Sequence, residues 1–346
     1  MKMKLKESVY LLKETDDIYQ IVFTSTRKIR RIQFDSLAKT IVEEAKRQED
    51  IEKILERLRD YHPSDIEACL NTLEAIGVLT RYDDRGQNPR FKRQIAFIDE
   101  LTDSWEETMD LQKRLEGSTI TIFGVGGIGT WMVNALYQVG IGHLRIVDPD
   151  HVCESNMNRQ LYFTSADVGA FKVDAIRQKI PDMDITCYKR FVSAEEDLSD
   201  IIDGSTFIVN CADSPSVQET SRVISSYANR WNIPYSIAGG YNMHLGMVGP
   251  VIIPGRTACF DCFLEYQKEN DPLRGLEKIK DITQTGSLGP IAGAVANLQA
   301  MEIFKHIIGK GKVNYNRFAE IDFMDFSVEW REFNKRDGCR TCLKRE

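Results

Sequence analysis

The sequence predicts a mixed α/β protein: a mostly parallel, Rossmann-like sheet preceded by a small α+β domain of winged helix-turn-helix character. Three observations carry this. From residue 119 onward, short apolar runs alternate with helical periodicities, the pattern of parallel strands joined by crossover helices. The first of those runs, Thr119–Phe123, feeds Gly124-Val125-Gly126-Gly127-Ile128-Gly129 and then a helix Trp131–Gln138, the strand–turn–helix context of a phosphate-binding loop. Ahead of both lies Asp83-Asp84-Arg85-Gly86-Gln87-Asn88-Pro89, which is charged, broken by Gly and Pro, and reads as a linker. The chain is therefore expected to divide into residues 1–88 and 89–346.

In the front segment, Val9–Leu12 and Ile18–Phe23 alternate in polarity around the turn Glu14-Thr15-Asp16-Asp17, and Ile29–Phe34 is a third strand. Leu37, Ile41, Val42 and Ala45 share one helical face; Ile51, Ile54, Leu55 and Leu58 share another. Ser64-Asp65-Ile66-Glu67 has capping-box spacing and opens a third helix through Leu70, Leu73 and Ile76, which Gly77 ends before strand Val78–Tyr82. Beyond the linker one helix is expected from Phe91 to about Leu115. Then come strand Leu144–Val147, helix Lys172–Ile180, strands Asp184–Phe191 and Thr206–Asn210, helix Val217–Arg230 and strand Tyr235–Ala238. Gln267–Ser287 lacks a clear period and reads as a crossover loop, followed by an Ala-rich helix Ile291–Ile308.

Composition removes several function classes. No run of 18 apolar residues exists, so no membrane association is expected. The basic start lacks the apolar stretch of a signal peptide, which points to the cytoplasm. Lys and Arg number 45 against 52 Asp and Glu, a net charge of −7. Residues 1–86 carry 16 cations against 17 anions, so the winged-helix shape lacks the basic face that a nucleic-acid reader needs. Eight cysteines in such a chain argue for thiols or metal ligands rather than a disulfide framework.

The glycine loop allows a tight turn at Gly124, close phosphate approach at Gly126 and helix–strand packing at Gly129. Asp148 ends the next strand, where a carboxylate can take both ribose hydroxyls. Ser155-Asn156-Met157-Asn158-Arg159-Gln160 and Lys172 add polar and cationic groups that hydride transfer does not need but nucleotidyl transfer does, because charge builds on the phosphates. Asp213 follows strand Thr206–Asn210 and can hold Mg²⁺ against the phosphates; its alternative is a helix N-cap before Ser214-Pro215.

Gly124–Gly129, Asp148-x-Asp150, Ser155–Gln160, Val168-Gly169-x-x-Lys172 and Cys211-Ala212-Asp213 together resemble the E1-like adenylating enzymes, the superfamily of the ThiF and MoeB sulfur-carrier activators and the ubiquitin-activating enzymes. The resemblance covers roughly residues 90–346. It implies an E1 adenylation domain that binds Mg·ATP and lets a carboxylate attack the α-phosphate. It places Asp148 on the ribose, Asn156 on the nucleotide, Arg159 and Lys172 on phosphates and Asp213 on magnesium. Gly127, Asp150, Ser155, Asn158, Gln160 and Ser214 complete the nucleotide set. Arg90-Phe91-Lys92-Arg93-Gln94 resembles a helical motif whose last arginine, here Arg93, reaches the γ-phosphate from the other subunit of a homodimer; read alone, Arg93 is equally a solvated helix position.

Cys259-x-x-Cys262 and Cys339-x-x-Cys342 offer four thiolates to one tetrahedral Zn²⁺, leaving no open position, so the metal is structural; a redox dithiol is the alternative. Ubiquitin-type relatives pass the activated carboxyl to a cysteine after the first zinc pair, but residues 263–338 contain none, so no thioester step is expected. Cys69 reads as packing, Cys187 falls in a strand, and Cys153 and Cys211 lie near the nucleotide. In relatives the edge around Tyr241, Asn242 and His244 faces the substrate; His244 is a hydrogen-bonded structural histidine or a proton shuttle.

An E1-like core behind a non-basic winged-helix-like front resembles the enzymes that make peptide antibiotics from ribosomal precursors, those of microcin C7 and pantocin A among them. That resemblance implies a precursor peptide partner whose leader adds as a strand beside the third helix. The residues expected to receive it are Ile29, Arg31, Ile32 and Phe34 on the strand and Leu70 and Leu73 on the helix. Competing readings are an activator of a Gly-Gly-ending sulfur carrier and a leader-binding scaffold without catalysis.

Overall fold

A computed structural model describes the chain except residues 238, 277–278, 281–285 and 344–346 and the side chain of residue 343. Part of the expected crossover loop therefore lies outside the described residues. The chain forms two compact units, Met1–Lys113 and Arg114–Glu346.

In the first unit, Val9–Lys13, Ile18–Phe23 and Lys28–Gln33 form an antiparallel three-stranded sheet in that order. Helices Ser36–Ala45, Ile51–Arg57 and Pro63–Ala75 supply its other layer. Ile21, Phe34, Ile41, Leu58, Leu70 and Leu73 close the core between them. Asp35 caps the first helix, its carboxylate accepting from the Ala38 N–H at 2.8 Å. The charged start, read only as a basic segment, is a strand: Lys2–Leu5 pairs antiparallel with Leu79–Tyr82, with Met3 fully buried.

Two of the differences from the expected boundaries have a plain local cause. The third helix begins two residues earlier than its capping-box motif suggests. Pro63 occupies the first turn, where its fixed φ fits and its missing N–H costs nothing, so His62 becomes the N-cap and Ser64 sits inside. The helix expected over 91–115 is two, Lys92–Asp99 and Trp105–Glu116. Ser104 restarts it: its hydroxyl accepts from the Glu107 N–H at 3.2 Å, while Glu107 accepts from the Asp103 N–H at 3.1 Å. This Ser-x-x-Glu spacing was present in the sequence, but the surrounding apolar periodicity masked it.

The second unit is built on a six-stranded sheet in the order Val251–Ile252, Tyr235–Ile237, Phe207–Asn210, Thr119–Phe123, His143–Val147 and Asp184–Tyr188. Its pairs are parallel except for Val251–Ile252 against Tyr235–Ile237. The fold is thus mixed α/β with a largely parallel central sheet. From Thr119–Phe123 the chain moves one way to His143–Val147, then returns to the other side at Phe207–Asn210. That reversal is the switch point at which open sheets hold ligands, outside the strands' carboxyl ends. Helices Gly127–Gln138 and Gly289–Ile308 pack together, Trp131 lying over Gly293 where an added Cβ would stand 3.2 Å from the indole. A second, antiparallel sheet, Tyr241–Asn242, Leu245–Val248, Arg317–Asp322 and Val328–Glu332, was not foreseen. Among the described residues no helix is long and apolar enough to cross a membrane.

Candidate active site and metal centre

The glycine loop leaves strand Thr119–Phe123 at the switch point. Gly124 adopts φ +83°, and a Cβ there would stand 2.7 Å from the Ala212 backbone; one on Gly129 would stand 2.0 Å from the Gly124 carbonyl oxygen. Those two glycines are fixed by packing. Gly126 is not: the nearest atom to its absent Cβ is Gln160 Nε2 at 3.9 Å. Gly126 is also the N-cap of helix Gly127–Gln138, and no side chain caps that end. Its first N–H groups and dipole face an uncapped space suited to an anion.

Asp148 is buried at the end of the neighbouring strand. Its Oδ2 accepts from the Val125 N–H at 2.8 Å and its Oδ1 from the Asp150 N–H at 2.9 Å, so it braces the loop as well as ending the strand. Burial pushes its carboxyl up from its ordinary value, with Lys172 pulling the other way. Lys172 is itself buried and pairs with the Asp150 carboxylate at 2.7 Å.

Ser155–Gln160 folds around the loop. Asn156 is buried, but its Oδ1 is occupied by the Cys153 N–H at 2.9 Å, a cap rather than an open contact. The Arg159 guanidinium donates to the Ser155 carbonyl at 2.7 Å and the Asn158 Oδ1 at 3.1 Å, and its Cδ lies 3.7 Å from where a Gly127 Cβ would stand. Gln160 is buried beside Gly126, and its Oε1 has no hydrogen-bond partner among the described residues. An orphaned carbonyl beside an open loop and an uncapped helix end fits a polar ligand with donors of its own.

Asp213 lies exposed past strand Phe207–Asn210, at the same end of the sheet as Asp148. It is not a helix cap: Ser216 caps helix Val217–Trp231, its hydroxyl accepting from the Glu219 N–H at 3.1 Å. No hydrogen bond or ion pair among the described residues engages Asp213, so its carboxylate fits a cation. Ser214 beside it is exposed. The residue that sequence reasoning missed is Asn210. Its Nδ2 donates to Thr220 Oγ1 at 3.0 Å and Ser221 Oγ at 2.9 Å, and its Oδ1 accepts from the Ala212 N–H at 3.0 Å. That pins the turn carrying Asp213. A buried polar residue ending an apolar strand was the available signal.

Tyr241, expected at the substrate edge, does reach the loop. Its hydroxyl lies 3.3 Å from a Gly127 Cβ position and hydrogen-bonds the Ser287 hydroxyl. Asn158 Nδ2 donates to the Ser287 carbonyl at 3.0 Å, and Gly289 N–H donates to the Asn158 carbonyl at 3.2 Å. His244 Nε2 stands 3.7 Å from Asp322 Oδ2, with its side chain 47% exposed, and no side-chain hydrogen bond engages it among the described residues. Arg93 belongs to the other compact unit, exposed on helix Lys92–Asp99.

The four cysteines converge. Sγ distances are 3.7 Å for Cys259–Cys262, 3.5 Å for Cys259–Cys339 and 3.7 Å for Cys262–Cys342, and all four lie within 4.8 Å of one another. A zinc tetrathiolate with Zn–S about 2.3 Å has S···S edges of about 3.8 Å, whereas a disulfide needs about 2.05 Å. The cluster could therefore hold zinc. Burial pushes the Cys259 and Cys262 thiols up, so a dication is what would make thiolates of them. The Thr341 hydroxyl donates to Asp261, and the Arg336 N–H to Cys262 Sγ at 3.4 Å. Cys211, two residues before Asp213, is pushed up by burial and by the Asp213 carboxylate, which makes it a poor nucleophile.

The expected peptide residues separate into two groups. Ile29 and Arg31 are exposed and Ile32 half-buried. Phe34, Leu70 and Leu73 are sealed at 3%, 1% and 2% exposure. In this structure these three hold sheet and helix together from beneath rather than lining a surface.

Residues 91–342 match the model of the ThiF family. The chain belongs to the ThiF family. Among its relatives it is 27% identical to the sulfur carrier protein ThiS adenylyltransferase of Escherichia coli K12, over 73% of this chain and 94% of that protein. It is 25% identical to the molybdopterin-synthase adenylyltransferase of the same organism, over 67% and 90% respectively. Among solved structures, E. coli MccB with AMPCPP and the MccA peptide aligns over 99% of this ThiF-family chain and 100% of its own, at 19% identity and TM-score 0.73. PaaA aligns over 82% and 96%, at 25% identity and TM-score 0.65.

Proposed function

We propose that this enzyme activates a carboxylate of a ribosomally made precursor peptide in antibiotic biosynthesis, consuming ATP. The enzyme class is an ATP-dependent adenylating enzyme of the ThiF family. The observation that carries the finer reading is coverage. The likeness to MccB, a microcin C7 biosynthetic enzyme solved with the MccA peptide, runs over 99% of this chain and so takes in the front unit. The sulfur-carrier relatives span 73% and 67% of it. Of the peptide-antibiotic enzymes we take that of pantocin A, which activates glutamate side chains before dehydration and cyclisation, as the nearer analogue.

In this reading a peptide carboxylate oxygen attacks the α-phosphorus of ATP and pyrophosphate leaves. Gly124, Gly126, Gly127 and Gly129 shape the phosphate seat, and Asp148 takes the ribose. Asn156, Asp150, Ser155, Asn158, Gln160 and Ser214 line the nucleotide. Arg159 and Lys172 meet phosphate charge after exchanging their present partners, Arg93 reaches it from a second subunit of a homodimer, and Asp213 holds Mg²⁺. A nearby amide, amine or carbon nucleophile then closes on the activated carboxyl. We place the protein in the cytoplasm, where ATP and nascent peptides are available, with residues 1–88 as the peptide reader and 89–346 as the adenylating domain. A second reading, activation of a carrier protein ending in Gly-Gly, is favoured by the higher identity to the ThiS adenylyltransferase.

The test incubates the protein with ATP and either a short peptide encoded beside its gene or a Gly-Gly-ending carrier. Release of AMP with the peptide alone supports the first reading, and with the carrier alone the second. Release of ADP would replace adenylation by phosphorylation.

A further inference from the structure

We propose that the open edge of strand Lys28–Gln33 selects an acidic peptide segment in which two carboxylates flank one apolar side chain. This rests on the front unit being the peptide reader and names the chemistry it reads. Lys28–Gln33 is the last strand of its sheet, and no strand among the described residues pairs with its outer side. The Phe34 N–H donates to the Asp17 carbonyl at 2.8 Å. Alternation along an antiparallel pair then turns the N–H and C=O of Lys28, Arg30 and Ile32 toward Ile18–Phe23, and those of Ile29, Arg31 and Gln33 toward the open side.

The side chains along this edge are not equivalent. Arg31 is neutralised by Glu14, its guanidinium donating at 3.0 Å to each carboxylate oxygen. Lys28 and Arg30 are exposed and have no carboxylate partner among the described residues; Arg30 lies 5.6 Å from the Phe23 ring centre. These two face the helix side of the sheet, opposite Phe23 and Ile21 in register. On the other face Tyr10, Val22 and Ile29 form one cross-strand apolar row, with Tyr10 63% and Ile29 62% exposed. An added strand, parallel or antiparallel, would place residues i and i+2 beside Lys28 and Arg30 and residue i+1 beside Ile29. Unlike charges opposite one another stabilise and like charges do the reverse, while an apolar i+1 extends the row. Cations alone on an edge would serve as a guard against stray pairing. A guard needs no exposed apolar row beside it.

The full chain is panned against a random-peptide phage library, in parallel with a Lys28→Glu/Arg30→Glu double variant of unchanged melting temperature. Expected are sequences with acidic residues two apart and an apolar residue between. A labelled peptide of that kind should bind the parent chain at least about tenfold more tightly than the variant, and its lysine-substituted twin should reverse the preference. Enrichment of peptides without acidic bias, or equal binding by both chains, overturns the proposal. If such neutral peptides lose binding on Ile29→Pro, strand addition stands and only the charge selection falls. If nothing is enriched, both fall.

Discussion

Asp213 sits exposed on a turn that buried polar groups hold in place. It caps no helix and makes no hydrogen bond or ion pair among the described residues, yet Asn210, Thr220 and Ser221 fix the turn that presents it. Asp213→Ala should therefore lower ATP turnover by at least about a hundredfold while the melting temperature and peptide affinity hold, read by pyrophosphate release and fluorescence anisotropy. Asp148 differs because it is structural as well. Burial raises its pKa, so the folded state binds its proton more readily than the unfolded chain does. A carboxyl shifted this way contributes stability that is complete below the unfolded value and lost as pH rises through the folded one. Acid should then weaken nucleotide binding as Asp148 protonates, without this group costing stability in the same range. Titration calorimetry with ATP beside thermal melts, from neutral pH downward, checks it; parallel loss of affinity and stability would remove Asp148 from the nucleotide's contacts. The glycine loop, Asp148 and Asp213 were legible because they fall at or just past strand ends, and Lys172 because it opens a helix, positions that the sequence pattern gives by itself. The Ser287–Tyr241 contact was not, since its meaning arises only from pairing across 46 residues; Asn210 shows in the sequence as a polar end to an apolar strand, but its partners lie 10 and 11 residues on.

The glycine loop shows how an element divides its labour between packing and ligand. Gly124→Ala and Gly129→Ala force a Cβ against backbone at 2.7 Å and 2.0 Å and should each cost about 3 kcal/mol, seen as loss of stability. Gly126→Ala meets nothing nearer than 3.9 Å, so stability should change by less than about 0.5 kcal/mol while ATP affinity falls, the methyl standing where phosphate must approach. Equal ATP affinity in that variant would mean the phosphates sit elsewhere. Strand Lys28–Gln33 divides in the same way. Ile29→Pro deletes an N–H facing the open edge, whereas Arg30→Pro deletes one inside the ladder. The first should impair peptide binding alone and the second should destabilise the front unit. Strand positions in that unit were legible from alternation, but which residues pair backbone outward was not, because register belongs to the sheet.

At the scale of the whole chain, the parallel sheet was legible from alternating strands and helices, and the second sheet was not. Its first strand is two residues, Tyr241–Asn242, and its second contains Gly246, which packs flush against Phe323 and Val295. Such strands exist by pairing rather than by pattern. Arg317–Asp322 and Val328–Glu332 lead the chain on to Cys339 and Cys342, which meet a cysteine pair 80 residues earlier. A metal there would join the segment carrying Cys339 and Cys342 to helix Phe260–Glu269, whose N-cap is Cys259 and whose Phe263 packs on Phe318 and Phe333. Elemental analysis should find about one zinc per chain. Cys339→Ser should release it and lower the melting temperature by about 6–12 °C, if the lost constraint costs about 3 kcal/mol at 2–4 °C for each. Thiol reductants should leave turnover unchanged, because the sulfurs stand at metal-edge rather than disulfide distances. A chain purified without zinc that melts at the same temperature as its zinc-loaded form would show that the aromatic packing holds this end unaided.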